Sequence, residues 1–165
     1  MDLPYRIAVL CYLYDEAGRL LLLHRVKAPN RDLYSPIGGK LDMATGESPT
    51  ACAIREIREE AGVEVNAADL HLVGVVSEAS FEGQGHWLMF MYEVTRPVAV
   101  ATGVMREGRL EWHAVSEVES LNIPATDRQV IWPEYLRHRG SGFFMTHIEC
   151  ADPSRLRWST DQSRR

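Results

Sequence analysis

Apolar and polar positions divide this chain into short blocks. Residues 5–14 are rich in β-branched, aliphatic and aromatic side chains, residues 19–25 are apolar again, and Asp15-Glu16-Ala17-Gly18 between them is turn chemistry. That pattern predicts a β-hairpin. Residues 26–36 turn polar around Pro29, Asn30 and Asp32 and predict a loop, after which Ile37-Gly38-Gly39-Lys40 closes a short apolar stretch. The clearest helix opens at Ser48-Pro49: serine suits an N-cap, and proline suits the first helical position, where its missing N–H costs nothing. It runs to Ala61, with Gly62 as its stop. Residues 70–76, 87–94 and 110–115 read as strands, and Glu82-Gly83-Gln84-Gly85 and residues 96–108 as loops. Residues 127–139 have helical spacing, with Pro133 straining the middle or marking a later start. Residues 143–148 form a last strand, and residues 151–165 are polar enough to predict a frayed tail.

Strands outnumber helices and do not alternate regularly with them. This favours an α+β architecture, a mixed sheet with a few packed helices, over a doubly wound parallel fold. No linker or repeat interrupts the pattern, so residues 1–150 are expected to form a single domain and 151–165 its C-terminal tail.

Composition narrows the function classes. With 45% hydrophobic and 25% charged residues in 165, the chain has the profile of an ordinary globular protein. Its longest apolar run, residues 7–13, is too short to span a bilayer, and Asp2 and Pro4 interrupt any early signal segment, so a cytoplasmic location is expected. The formal net charge is −5, opposite to that of a generic polyanion binder, and no basic aromatic platform predicts nucleic-acid binding. A polyphosphate substrate would therefore need positive charge from elsewhere, and a divalent metal is the obvious source. Cys11, Cys52 and Cys150 form no C-x-x-C pair and read as buried free thiols. The six histidines show no metal-ligand spacing and read as structural or surface residues.

The helix over residues 49–61 carries the strongest chemical signal. Ala53, Ile54, Ile57 and Ala61 make one apolar face. Glu56, Glu59 and Glu60 stand at i, i+3 and i+4, so three carboxylates crowd together. Such a group either solvates with Arg55 and Arg58 as local partners or serves a hard cation, since Mg²⁺ is held by a few carboxylates with waters and substrate phosphates.

The stretch from Gly39 through Glu47, Arg55-Glu56-Ile57-Arg58-Glu59-Glu60 and Gly62-Val63 resembles the Nudix box, G-x5-E-x7-R-E-U-x-E-E-x-G-U with U aliphatic. Every specified position from Glu47 onward matches. Seven residues, not the pattern's five, separate Gly39 from Glu47. The resemblance implies a Nudix fold, a mixed β-sheet sandwiched between α-helices, and Mg²⁺- or Mn²⁺-dependent hydrolysis of a nucleoside diphosphate linked to another group. It implies that Glu56, Glu59 and Glu60 bind metal with the Gly38 carbonyl, that Arg55 pairs with Glu47 to hold the loop, and that Lys40 contacts phosphate or steadies the loop. The general base would be Glu56 or a glutamate outside the box.

That outside glutamate is Glu107. Arg106-Glu107-Gly108-Arg109-Leu110-Glu111-Trp112 resembles the loop that reaches the metal in MutT-type nucleoside triphosphate pyrophosphohydrolases, with Glu111 the fallback. In the same subfamily an arginine at the position of Arg25 meets substrate phosphate, a role the guanidinium fork suits. The stretch ending at Asp127 resembles the one that reads a purine base, although Asp127 also suits a helix N-cap, and the cap is favoured.

The resulting expectation is hydrolysis of ordinary or oxidised nucleoside triphosphates to monophosphate and pyrophosphate, by a monomer or homodimer that takes small nucleotides. The alternatives are an ADP-ribose or nucleotide-sugar hydrolase, a dinucleoside polyphosphate hydrolase, or a nucleotide-sensing Nudix domain without turnover. Glu78, Ser80 and Phe81 stand where proline or tyrosine marks the first two, which disfavours both. Retention of Glu56, Glu59 and Glu60 disfavours the sensor.

Overall fold

The computed structural model describes residues 2–28 and 30–165; Pro29 of the expected loop lies outside them. Among the described residues, ten strands form two sheets. The larger has the order β10-β9-β5-β6-β1-β4, built from β1 (Tyr5–Tyr12), β4 (Ile37–Lys40), β5 (Leu70–Phe81), β6 (Gly85–Val94), β9 (Phe143–Glu149) and β10 (Arg157–Arg164). The smaller has the order β3-β2-β8-β7, from β2 (Leu20–Arg25), β3 (Tyr34–Ser35), β7 (Gly103–Met105) and β8 (Gly108–His113). Helix α1 is Pro49–Ala61 and helix α2 is Trp132–His138. The larger sheet is mixed: β1 runs parallel to β6 and antiparallel to β4, and β5 runs parallel to β9.

Alternation along β1 places this sheet between two cores. Val9, Cys11 and Leu13 join Cys52, Ala53 and Ile57 of α1 on one side. Ala8, Tyr12 and Tyr14 join Trp132 and Tyr135 of α2 on the other. Each face of the strand thus buries its own apolar set, the arrangement a period of two dictates when both sides are covered. Cys11, Cys52 and Cys150 are buried free thiols. No helix among the described residues is long and apolar enough to cross a membrane.

Four local expectations are corrected. The turn at Asp15–Gly18 exists, with the Gly18 amide on the Asp15 carbonyl at 3.0 Å. Its two arms nevertheless separate into different sheets after a single bridge, Tyr14 to Leu20, so no simple hairpin forms. β3 and β7 occupy parts of the two polar stretches expected to be loops. Residues 157–164 do not fray: β10 pairs with β9 from Arg157 opposite Glu149 to Arg164 opposite Phe143. Asp127 caps no helix. It opens a π-helical turn, Asp127–Ile131, whose N-cap position is Thr126, and the Trp132 amide reaches back to the Asp127 carbonyl. Pro133 follows directly and has no N–H to continue α-helical bonding, which accounts for the wider turn.

Candidate active site

Helix α1 is held by both of its caps. The Ser48 hydroxyl accepts the Ala51 amide at 3.1 Å, and Gly62, at φ 68°, sends its amide to the Arg58 carbonyl. Buried Cys52, Ala53 and Ile57 dock the helix on the sheet. This turns the opposite flank, with Glu56, Glu59 and Glu60, toward β4.

Glu60 is fixed to β4 by the Gly38 amide, which donates to its Oε2 at 3.0 Å. Gly39 makes room for Glu56: a Cβ at residue 39 would collide with the Glu56 carboxylate. Arg55 organises the rest. Its Nε donates to Glu47 Oε1 at 2.7 Å and its Nη2 to Glu47 Oε2 at 2.9 Å. Its Nη1 donates to Glu56 Oε1 at 2.7 Å and to Glu59 Oε2 at 3.3 Å. The bidentate grip holds the Glu47 carboxyl down at about 2, aided by the Asp42 amide on its Oε2.

The longer loop between Gly39 and Glu47 is absorbed at the surface. Asp42 Oδ1 accepts the amides of Ala44 and Thr45, and Gly46 takes a left-handed φ of 66°. Lys40 keeps its pairing with Ala8, and the Leu41 amide its bond to the Ile7 carbonyl at 3.0 Å. The inserted length therefore leaves the strand end and the helix start in register.

Gly38, Gly39, Glu56, Glu59 and Glu60 line a cavity of about 610 Å³ that also takes in Arg25, Lys40, Glu107 and Asp127. Arg25 ends β2, and its charge acts on Glu60. Glu107 occupies the tight turn between β7 and β8, and its carbonyl accepts the Val26 amide at 3.0 Å. Burial, reinforced by Glu56 and Glu107, lifts the Glu60 carboxyl to about 7 even though the Gly38 amide favours its charged form. Burial also raises Glu56. The fallback Glu111 lies elsewhere: its Oε2 meets the Tyr34 hydroxyl and His113 Nε2, each at 3.0 Å.

Chemically, this end of the cavity is a set of hard oxygen donors with two of them raised by burial, the state that a bound cation relieves. Among the described residues, no group of three or more His, Cys, Asp or Glu side chains is gathered closely enough to hold a metal ion by itself. Mg²⁺ keeps waters and takes ligands from substrate phosphates, so it asks fewer ligands of the protein. The donor set fits the ion, with part of its shell left to solvent and substrate.

The NUDIX domain family model matches residues 4–132 of this chain. The chain belongs to the NUDIX domain family. The Nudix hydrolase YvcI of Bacillus subtilis (strain 168) is 28% identical over 116 residues, covering 68% of this chain and 69% of that protein. A mutator MutT protein from Bacillus halodurans superposes with a TM-score of 0.74 at 26% identity, covering 94% of this chain and 97% of that one. The NUDIX domain of Shewanella oneidensis NrtR, solved with ADP ribose, gives a TM-score of 0.64 at 18% identity, covering 84% and 89%. The mixed sheets and few helices are those of a Nudix fold, and the Nudix relatives support a pyrophosphohydrolase.

Two Nudix-site neighbours escape the sequence reading. Ser35 and Glu78 both line the cavity, beside Thr126 and Asp127. Glu78 is one buried carboxylate on an otherwise apolar strand face, a signal visible in the sequence only once the strand's length is known.

Proposed function

We propose that this chain hydrolyses a nucleoside triphosphate by attack of water, releasing the monophosphate and pyrophosphate, and that ordinary or oxidised purine triphosphates are its substrates. The observation that carries this reading is the division of one cavity. Glu60 feels the charges of Glu56, Glu107 and Arg25, and Glu56 that of Glu59, while Asp127 is paired electrostatically with Glu78, and the apolar lining between includes Met89 and Trp87, over whose ring Lys40 Nζ lies at 5.9 Å. A nucleotide matches that division: anionic phosphates at one end and a flat heterocycle at the other.

Glu56, Glu59, Glu60 and Glu107, with the Gly38 carbonyl, would hold Mg²⁺ or Mn²⁺, which supplies charge neutralisation on the phosphate oxygens. Arg25 binds phosphate through its fork, and Lys40 adds a point charge. Glu56 or Glu107 takes the proton of the attacking water. Arg55 and Glu47 act at one remove: they fix the loop and the Glu56 carboxylate, so the acceptor stays where the water must be. The ligand is a small nucleotide.

A second reading has one specific support, the ADP ribose bound by the NrtR NUDIX domain. It makes the substrate an ADP-ribose-type or nucleotide-sugar diphosphate. The experiment is product analysis with and without Mg²⁺ on ordinary and oxidised nucleoside triphosphates, ADP-ribose and a diadenosine polyphosphate, with Glu60→Gln as control. Monophosphate plus pyrophosphate from a triphosphate, lost in Glu60→Gln, is the expected result. Cleavage of ADP-ribose or the dinucleotide alone would replace the substrate assignment. Silence across the panel from folded protein would favour a sensing domain.

A further inference from the structure

The side of the larger sheet turned away from the cavity carries a second polar group. Glu78 of β5 lines the cavity, so its neighbour Ser77 faces the other side. That is the side on which α1 packs: Val75, two positions before Ser77, stands beside Phe90, which packs against the α1 core. The pairings run one row across it, from Ile7 of β1 to Leu88 of β6, Ser77 of β5, His147 of β9 and Ser159 of β10. Glu149, two residues along β9, joins the same side. This end of the face is open, with the His147 side chain 36% exposed and the Glu149 side chain 45% exposed.

Three side chains are chained together there. Ser77 Oγ lies 2.7 Å from His147 Nδ1, and His147 Nε2 lies 3.1 Å from Glu149 Oε1. An ionised carboxylate only accepts, so Nε2 carries the ring hydrogen and donates it to Glu149. A neutral imidazole has one such hydrogen, so Nδ1 accepts, and the Ser77 hydroxyl donates to it. The order is that of a nucleophile, its base and the carboxylate that orients the base. Alternation along β9 sets base and carboxylate side by side, and the parallel register of β5 and β9 sets Ser77 against the base. Apolar surface adjoins them: Leu88 stands opposite Ser77, and Met145, 38% exposed, stands opposite Val75.

We propose that Ser77, His147 and Glu149 form a second reactive centre, which takes the acyl group of an activated, uncharged ester onto Ser77 and passes it to water. It stands apart from the nucleotide cavity and does not rest on the nucleotide reading. Ser77 Oγ bonds to the acyl carbon while its proton passes to His147 Nδ1; the ester C–O bond breaks, and the departing oxygen takes that proton. Water then attacks the acyl-serine, Nδ1 accepts its proton and returns one to Ser77 Oγ, and the carboxylic acid leaves. Glu149 is a positioning residue that holds the ring in the accepting tautomer. The sheet sets the substrate class. Backbone around Ser77 pairs with β6 on one side and β9 on the other, so the developing oxyanion meets no spare pair of amides. One such donor is worth about 100-fold or more, so the ester must bring a good leaving group of its own. The strip of Val75, Leu88 and Met145 suits a short aliphatic acyl chain, and Glu149 repels anions.

The test treats the full chain, in EDTA so that no divalent metal acts, with an alkyl fluorophosphonate and with p-nitrophenyl acetate and butyrate. Peptide mass spectrometry should find the phosphonyl adduct on Ser77, and both esters should be hydrolysed. Ser77→Ala removes the adduct and the esterolysis. His147→Gln slows both about 100-fold, the scale of a lost general base. Glu149→Gln slows them about fivefold, the worth of a half-exposed pair, at an unchanged half-saturating ester concentration, and Glu149→Asp recovers part of the loss. A hydrogen-bonded chain with only a structural role would place no adduct on Ser77. No adduct on Ser77, esterolysis that survives Ser77→Ala, or an unchanged labelling rate in folded His147→Gln would overturn the proposal. If His147→Gln does not fold by circular dichroism, the position of the adduct and Glu149→Gln decide. Ser77→Ala should leave triphosphate hydrolysis in Mg²⁺ unchanged, which separates this centre from the metal-dependent one.

Discussion

Arg55 grips Glu47 through both carboxylate oxygens, Nε to Oε1 at 2.7 Å and Nη2 to Oε2 at 2.9 Å, and the same guanidinium reaches Glu56. The loop and the carboxylate cluster therefore share one anchor. Arg55→Lys keeps the charge and loses the fork, so it should lower kcat by about 100-fold, the scale of a small misplacement at a reacting centre. Steady-state kinetics check this, with circular dichroism to confirm the fold. The pair also has an acid signature. Glu47 releases its proton more readily folded than unfolded, so its stabilisation is complete above its ordinary value of 4.5 and is lost as pH falls toward about 2. Glu47→Gln should flatten that part of the acid-unfolding curve.

Gly38 and Gly39 adjoin in sequence but predict opposite failures. A Cβ at Gly39 meets the Glu56 carboxylate, the mobile end of a side chain, whereas one at Gly38 meets the Val9 carbonyl in the neighbouring strand. Gly39→Ala should fold normally and lose activity, because Glu56 moves aside. Gly38→Ala should lose about 1–3 kcal/mol of stability, because backbone cannot yield as cheaply. Urea denaturation and turnover measured on both proteins separate the two. Equal stability would refute the distinction.

How much of this was legible in sequence follows from how local each signal is. The bounds of α1 are written in Ser48, Pro49 and Gly62, which act on their own backbone neighbours, and the structure has the helix at Pro49–Ala61. The turn at Asp15–Gly18 is equally local, but the parting of its arms into two sheets is decided by what each strand packs against. β10 has every residue exposed, so it carries no alternation of apolar and polar positions. Asp127 could be read as a cap or a ligand contact, and only the π-helical turn removes the cap. Ser35 and Glu78 share a cavity because β3, β5 and the Thr126–Asp127 turn meet in space, a relationship no spacing encodes.

Asp127 and Glu78 should make stability fall as pH rises. Burial raises Asp127 to about 8, with the charge of Glu78 adding to the effect, and raises Glu78 to about 7 against the favourable Thr126 hydrogen bond. A carboxyl with a higher pKa folded than unfolded binds its proton more tightly in the native state. Stability then declines from the ordinary Asp value of 3.8 upward through about 8. Asp127→Asn carries no such charge and should be more stable than wild type at about pH 9, with the gap narrowing toward about pH 4. Urea melts at the two pH values check this. A pH-independent difference would assign the effect to packing instead.

Glu93 predicts a cost of charge burial. Its Oε2 accepts the Tyr135 hydroxyl at 2.5 Å and faces Arg139 Nε at 3.3 Å, while its Oε1 accepts the Gly140 amide at 3.0 Å. Tyr135 in turn meets Tyr14 at 2.8 Å. Glu93→Leu leaves a cation and several donors unmatched and should cost about 3–5 kcal/mol. Tyr14→Phe removes only the outer hydroxyl of the chain and should cost about 1 kcal/mol. Chemical denaturation of both proteins tests the ranking, and equal losses would mean that the hydroxyls, not the carboxylate, hold the network.

Removing residues 157–165 should weaken the fold without touching the chemistry. β10 and β4 lie at opposite edges of the larger sheet, so the deletion is far along the sheet from Gly38, Gly39 and Lys40. What it strips is the edge of β9 and two contacts to buried side chains. His138, 1% exposed, has its Nε2 at 2.8 Å from the Ser163 hydroxyl, and Thr146 meets Thr160 at 3.0 Å. A buried ring nitrogen left without a partner costs about 1–3 kcal/mol, and the freed β9 edge offers a template for another chain. The truncated protein should therefore show a lower urea midpoint and concentration-dependent association by size-exclusion chromatography, at unchanged KM. Ser163→Ala isolates the histidine contact and should cost about 1 kcal/mol with no association. An unchanged midpoint on truncation would mean that β10 adds no stability to the sheet it completes.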